Sequence, residues 1–181
     1  FQQTTSTTSN APLLCTDIDF SNISFSDPAQ GKSNSSFKSA YISYAGMSKF
    51  AIQTPWLRTW DGICEPPEEY RQTGAPPKYN LNFSLKGRNA DEVQEFQMFL
   101  HAMDEKMIQY ACGEHCMKWF KKKQMSPEVC EVLYSKQLKL AKDKETNEFT
   151  TKYPANFKAK VPCYDGHWKC SLYNDSTLQT S

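Results

Sequence analysis

The sequence has few of the residues on which catalytic and phosphate-cradling motifs depend. Only seven of its 181 residues are glycine, and none of them falls in the spacing of a loop that cradles phosphate. It also has no paired-carboxylate motif. With His101, His115 or His167 as the base, a cysteine nucleophile is an alternative, but no local signature supports it. We therefore predict no catalytic residues and no cofactor, and an enzyme is the function class that the sequence favours least.

The sequence also has no long hydrophobic run. No window approaches the unbroken apolar stretch of about 20 residues that a membrane-spanning helix needs, so we expect a soluble protein without a membrane partner. The chain begins at Phe1 and shows no basic-then-apolar signal segment, which favours a fragment, a processed product or part of a longer chain. We predict a polar arm over 1–12, a single domain over 13–174 and a tail over 175–181.

The cysteines lack the regular spacing of a disulfide framework. Their number, seven, is odd, and this favours reduced thiols in a cytosol-like compartment. The alternative is a secreted, disulfide-bonded glycoprotein. It is supported by four N-x-S/T sequons, at Asn22, Asn34, Asn82 and Asn174.

One group of residues has the composition of a metal site. Cys112, His115 and Cys116 fall within five residues, but a zinc site takes a fourth ligand, typically from a second separated pair. Only Cys130 offers such a ligand. We therefore predict buried thiols and no bound metal.

Hydrophobic periodicity predicts an α+β protein with a mainly antiparallel sheet and two helices. Residues 79–86 alternate apolar and polar side chains as a half-buried strand does. Asn89 then caps a helix with a 3.6-residue apolar period that Gly113 ends. Asp104 and Glu105 are predicted to lie on its solvated face. A second helix is predicted from Ser126 to about residue 138.

Two β-hairpins and one short extended piece complete the predicted sheet. The first hairpin joins 37–44 to 49–54 at Ala45-Gly46, and the last joins 157–161 to 168–172 at Asp165-Gly166. Between them, residues 56–60 form an extended piece that places two indoles on the same phase. In the last hairpin, apolar residues occupy one face, while lysines occupy the other.

Charge is distributed unevenly along the chain. Residues 91–114 contain six acidic residues against one lysine, whereas 115–169 contain twelve lysines against six acidic residues. One part of the chain would therefore attract a polyanion and another would repel it. The alternative is that the two segments neutralise one another within the fold.

Lysines stand beside aromatic rings at two places, the run 117–123 and the last hairpin. Ammonium groups that neutralise phosphates and rings that stack on bases, at about 1–3 kcal/mol per base, hold single strands without reading their sequence. The alternatives are a merely solvated hairpin and inward packing of Trp119 and Phe120. The predicted phosphate contacts are Lys118, Lys121, Lys122, Lys123, Lys158, Lys160 and Lys169, and the predicted stacking residues are Tyr164, Trp168 and Trp119.

Eight short runs, in matching order, resemble a family of nucleocytoplasmic large DNA virus proteins that includes the single-stranded-DNA-binding protein of African swine fever virus. The similarity covers roughly 18–174, and its most specific part is the succession K-D-K-E-T, K-Y-P and D-G-x-W. The chain departs from the family at 59–62, T-W-D-G, where relatives have a proline-phenylalanine-glycine run. It also ends before a family segment rich in glycine and aromatics. The runs are 22–26, 41–44, 52–56, 126–129, 143–146, 152–154, 157–160 and 165–168.

The resemblance implies an OB-like β-barrel with inserted helices. It also implies sequence-tolerant binding of single-stranded DNA in the host cytoplasm, in the viral factory. The alternative function is a structural or scaffold protein of the virus particle. In that role the same sheet would contact other virion proteins, and the arm 1–12 would thread between subunits.

Overall fold

The computed structural model describes residues 11–30, 38–65, 68, 78–113, 115–164 and 166–171. Two compact units divide the chain: unit 1 is Phe1–Pro55 with Gln94–Lys136, and unit 2 is Trp56–Val93 with Gln137–Ser181. The single domain predicted over 13–174 stays a prediction. The tail over 175–181 and the arm, apart from residues 11 and 12, lie outside the described residues.

The described residues form an α+β protein, as predicted, with three helices where two were predicted. Its strand pairs are antiparallel except for one, and no sheet in this part of the chain closes into a barrel. The strands are β1 (Leu13–Leu14), β2 (Ile23–Phe25), β3 (Ala29–Gln30), β4 (Lys38–Ser39), β5 (Ile42–Tyr44), β6 (Ile52–Gln53), β7 (Leu57–Cys64), β8 (Tyr79–Gly87), β9 (Leu138–Lys139), β10 (Asn156–Val161), β11 (Cys163–Tyr164) and β12 (His167–Trp168), and the helices are α1 (Ala90–Cys112), α2 (Cys116–Phe120) and α3 (Pro127–Leu133).

Unit 2 contains a four-stranded antiparallel sheet with the order β7-β8-β10-β9. β8 and β10 pair along six positions, from Asn156 opposite Ser84 to Val161 opposite Tyr79. Their apolar residues alternate with polar ones, so one face of this ladder is apolar. On that face the rings of Phe83 and Phe157 stack across the two strands, with centroids 6.1 Å apart.

The predicted pairing of 157–161 with 168–172 is wrong. Pro162 follows β10 and has no N–H to donate, so the ladder stops there. The hairpin is shorter, with β11 paired to β12 around a turn at Gly166, whose φ is +76°. The Lys169 N–H donates to the Pro162 carbonyl at 2.9 Å and closes the hairpin.

The strands of unit 1 form three short pairs. β2 pairs with β5 and β3 with β4, both antiparallel, whereas β1 and β6 are parallel. The predicted turn at Ala45-Gly46 is confirmed, because both residues have positive φ and Tyr44 and Met47 exchange backbone hydrogen bonds of 2.8 and 3.1 Å. The hairpin beyond this turn is wrong, since β5 and β6 take other partners.

Helix α1 is confirmed. Helix α3 begins as predicted but ends at Leu133, before the predicted end near residue 138, which lies in β9. The Asp91 N–H donates to the Asn89 side chain at 3.1 Å at the start of α1, and the Val129 N–H donates to the Ser126 hydroxyl at the start of α3. The third helix, α2, has only five residues. Among the described residues, no helix combines the length and the apolar character needed to cross a bilayer.

The prediction that Asp104 lies on the solvated face of α1 is wrong. Its side chain is buried, and the Tyr134 hydroxyl donates to its Oδ1 at 2.8 Å. A buried carboxylate requires such a partner, which the helical period alone does not reveal. Glu105 is exposed, as predicted, with its Oε2 3.6 Å from His101 Nδ1.

Candidate nucleic-acid interface

The polar face of the four-stranded sheet carries two of the predicted phosphate contacts. Residues that pair directly in an antiparallel ladder point to the same side of the sheet. Lys158 pairs with Asn82 and Lys160 with Asn80, so both lysines share a side with these amides. Both lysines are exposed while Ala159 between them is half-buried, which confirms the predicted alternation.

The strand register adds two cations that periodicity did not predict. Asn156 pairs with Ser84 on one side and with Lys139 on the other, and Ser84 pairs in turn with Arg58. Lys139 and Arg58 therefore lie on the same side as Lys158. None of the paired positions described on this side is acidic. We call this surface the basic face, and its cations are Arg58, Lys139, Lys158 and Lys160.

The basic face is large enough for a short stretch of extended nucleic acid. Its paired positions run from Asn80 to Ser84 along β8, about 14 Å at about 3.4 Å per residue, and of these the Ser84 side chain is buried. Across the four strands it measures about 14 Å, at about 4.8 Å per strand spacing. The cations are thus distributed over a surface rather than clustered at one point, as suits a flexible polyanion.

A cleft of about 420 Å³ lies where β7 and β8 pair, lined by residues 56–59 and 86–88. It brings Lys86 and Arg88 beside Arg58. The Arg88 guanidinium lies 4.6 Å from the ring centre of Trp56, and the Arg58 guanidinium lies 4.7 Å from that of Trp60. These indoles are 55% and 70% exposed. The cleft therefore combines three cations with one accessible ring, Trp56, and a second ring, Trp60, contacts Arg58 next to it.

Gly87 allows the two strands to approach at this cleft. A Cβ at this position would come within 1.9 Å of the Trp56 carbonyl oxygen and 2.9 Å of Val93 Cγ2. Only glycine therefore fits this backbone without a shift. The sequence contained a partial signal for the site, because alternation along 56–60 places Trp56, Arg58 and Trp60 on one phase.

A β-bulge presents Trp60 to solvent. The register shifts between Thr59, opposite Phe83, and Ile63, opposite Leu81, so residues 60–62 stand against one residue of β8. Gly62 adopts a φ of +63° there, which glycine tolerates at no steric cost. Bulges re-aim side chains in this way at sheet edges.

The hairpin β11–β12 carries the other three residues predicted in unit 2. Tyr164 is 64% exposed and Lys169 is exposed. Trp168 is 46% exposed, and its ring meets that of Tyr79 edge to face, with centroids 4.7 Å apart. Tyr164 therefore offers a mostly exposed ring, whereas Trp168 divides its surface between Tyr79 and solvent.

No family model, curated protein or solved structure matches this chain.

Trp119 packs inward, as the alternative interpretation of 117–123 had it. The side chain is half-buried in unit 1, and rings surround it at centroid distances of 5.8 Å for His115, 5.9 Å for Phe25 and 6.5 Å for Tyr110. Its indole N–H has no hydrogen-bond partner within the described residues. The predicted base-stacking role is therefore not supported for Trp119, because its neighbours already occupy much of its ring.

The four lysines predicted in unit 1 fall into two groups. Lys118 pairs with Asp27, with its ammonium 3.0 Å from one carboxylate oxygen, so an incoming phosphate would have to compete for it. Lys121, Lys122 and Lys123 are exposed after α2. Lys121 ends that helix with a φ of +59°. The predicted phosphate-contacting lysines thus lie partly in unit 1 and partly in unit 2. Among these described residues, only lysines of unit 2 lie on the face of a sheet.

The prediction of buried thiols is confirmed for some of the cysteines. All seven are free; Cys116 and Cys130 are buried, while Cys112 is half-buried. Burial, together with a hydrogen bond that the Cys130 thiol donates to Cys112, raises the pKa of Cys130 from 9.0 to about 11. Within the described ranges, no three potential ligands lie close enough to hold a metal ion; Glu114 is not among those residues.

Proposed function

We propose that this protein binds single-stranded nucleic acid, most simply DNA, without sequence specificity. The observation that carries the proposal is the basic face of unit 2, where four cations from three strands share one side of a sheet with no acidic residue at its paired positions. Lysine ammonium groups act as point charges toward phosphate and carry no base information. Affinity from such contacts comes largely from counterion release.

Exposed rings in unit 2 support single strands over duplex, and one of them, Trp60, contacts Arg58 of the basic face. Every base has a π-face, so stacking is tolerant of sequence, but it requires bases that are not already paired. Tyr164 and Trp168 at the hairpin and Trp60 at the bulge are accessible for this purpose. The proposed contacts in unit 1, the lysines at 118 and 121–123, would add charge without a stacking ring from Trp119.

The finer fold and the biological setting belong to the same proposal. The resemblance of eight runs supports an OB-like sheet with inserted helices, a large DNA virus as the source, and action in the cytoplasm of the infected cell. The antiparallel order β7-β8-β10-β9 is compatible with part of such a sheet.

The test is fluorescence anisotropy with single-stranded and duplex probes of equal length at two salt concentrations. We expect tighter binding of the single strand and an affinity that falls with salt. Lys158→Glu combined with Lys160→Glu should weaken binding at least about tenfold, since like charges then face the phosphates. The matched control is Lys144→Glu combined with Lys152→Glu, because both lysines are exposed in unit 2 outside the ladders.

Three results would overturn the proposal. These are no measurable affinity, an affinity that does not respond to salt, and an equal effect of the control variant and the basic-face variant. An RNA probe of the same sequence measures the preference between DNA and RNA in the same experiment.

A structural role in the virus particle is the second candidate function, and helix α3 favours it. Val129, Val132 and Leu133 are 49%, 86% and 62% exposed on this short helix, and exposed apolar side chains close together often mark protein contacts. Mass spectrometry of purified virions distinguishes the two functions. A stoichiometric amount in the particle, together with no strand binding, would support the structural role.

A further inference from the structure

We propose that the cleft between 56–59 and 86–88 binds a terminal phosphate, either of a nucleoside monophosphate or at the end of a strand. The inference deepens the proposed function by naming a ligand for one end of the interface. It rests on that function only for the strand-end case, because a mononucleotide could bind the cleft by itself.

The charge of the cleft fits a phosphate monoester better than a diester. Arg58, Lys86 and Arg88 line it, and none of its lining residues is acidic. None of the three forms an ion pair within the described part of the chain. A phosphate monoester carries about 1.5 to 2 negative charges at pH 7, whereas an internal phosphodiester carries one. Three cations in one lining therefore match the terminal group.

The two arginines are pre-oriented for phosphate. Arg58 lies over Trp60 at 4.7 Å and Arg88 over Trp56 at 4.6 Å, so each guanidinium is held by a ring. A planar guanidinium that contacts a ring through its face keeps the N–H groups along its edge for an anion. Those donors can then bind two phosphate oxygens in the bidentate geometry that arginine prefers.

The cleft also has room for more than an ion. Its volume of about 420 Å³ falls within the range of about 300–1,000 Å³ typical of small-molecule sites. Trp56 lines the cleft, is 55% exposed and contacts Arg88 on one side, which leaves ring surface for a base. A nucleoside attached to the phosphate therefore gains stacking that inorganic phosphate lacks.

Isothermal titration calorimetry on the full chain tests this inference with four small probes. They are thymidine 5′-monophosphate, its methyl diester, thymidine and inorganic phosphate. We expect the monophosphate to bind at least about tenfold more tightly than the diester or the nucleoside, because the diester carries one negative charge and the nucleoside none. The monophosphate should also bind more tightly than inorganic phosphate, because inorganic phosphate lacks the base.

Two substitutions and one control locate the binding in the cleft. Arg88→Gln and Lys86→Gln should each weaken the monophosphate at least about fivefold, since each removes one charge-assisted contact, and Lys144→Gln should leave it unchanged. Lys86 is an exposed side chain, so its substitution keeps the test valid should Arg88→Gln fail to fold. Equal binding of monophosphate and diester, or no effect of Lys86→Gln, would overturn the inference.

Oligonucleotides with and without a 5′- or 3′-phosphate separate this inference from the proposed function. Tighter binding of one phosphorylated end supports the strand-end case. If oligonucleotides bind but neither they nor the mononucleotide respond to a terminal phosphate, the cleft assignment fails and the proposed function stands. If only the mononucleotide binds, the proposed function fails and the cleft assignment stands.

Discussion

The salt dependence of strand binding follows from the number of cations on the interface. Five lie on the same side of the sheet: the four of the basic face, Arg58, Lys139, Lys158 and Lys160, and Lys86, which follows Ser84 by two residues on β8. For single strands, log K falls with log salt with a slope of about −0.7 per neutralised phosphate. Five contacts then predict a slope of about −3.5, and Lys158→Gln with Lys160→Gln should reduce it to about −2.1.

The difference is large enough to measure by anisotropy with a labelled oligothymidylate. Between 50 and 200 mM salt, the wild-type affinity should fall about 100-fold and that of the double variant only about 20-fold, on the same slopes. At 50 mM salt, the variant should already bind more weakly. Unfolding curves of both proteins should coincide, because exposed lysines contribute within about 0.5 kcal/mol to stability.

Lys144→Gln with Lys152→Gln is the matched control. Both lysines are exposed and lie outside the strand ladders of unit 2, and the net charge changes by the same amount. Its slope should stay near that of the wild type. Equal reductions of the slope in the two double variants would refute the reasoning, since binding would then follow net charge rather than the basic face.

Two further predictions concern stability. Gly87→Ala should lower the free energy of unfolding in urea by about 1–3 kcal/mol, because the added Cβ would meet the Trp56 carbonyl oxygen at 1.9 Å. Gly113→Ala is the control and should cost less, because its Cβ would come no nearer than 3.1 Å to a neighbour. A larger loss for Gly113→Ala than for Gly87→Ala would contradict the close approach at Gly87. The Cys130 thiol, with its pKa raised from 9.0 to about 11, holds its proton more tightly in the folded state, so its contribution is complete below pH 9 and is lost as the pH rises toward 11. Stability measured against Cys130→Ala should therefore decline over this window, and a rise would exclude the raised pKa.

Local sequence patterns predicted the elements that form through near neighbours. The alternation over 79–86 and the capped apolar period after Asn89 correspond to β8 and α1. The turns at Ala45-Gly46 and Gly166 were also predicted, because positive φ depends on the residue itself. What the patterns lacked was the partner of each strand, since alternation gives the phase of side chains but not which distant strand completes the ladder.

The same limit applies to the candidate site. Lys158 and Lys160 were predicted from alternation within one strand. Lys139 and Arg58 join them only through a row of pairs across four strands, which no single segment contains. Trp119 was predicted to stack on bases because rings and lysines alternate around it. The same alternation occurs in a helix whose rings face inward. Here the ring cluster of unit 1 decided between them.

The bulge at 60–62 also bears on self-association. The order of the four-stranded sheet leaves β7 and β9 as its outer strands, and a long, regular outer strand invites a second molecule to extend the sheet toward fibrils. β9 has only two residues, and the eight of β7 are interrupted at Gly62. Neither outer strand is both long and regular. We therefore expect copies bound side by side on one nucleic-acid strand to remain separate rather than to join through their sheets.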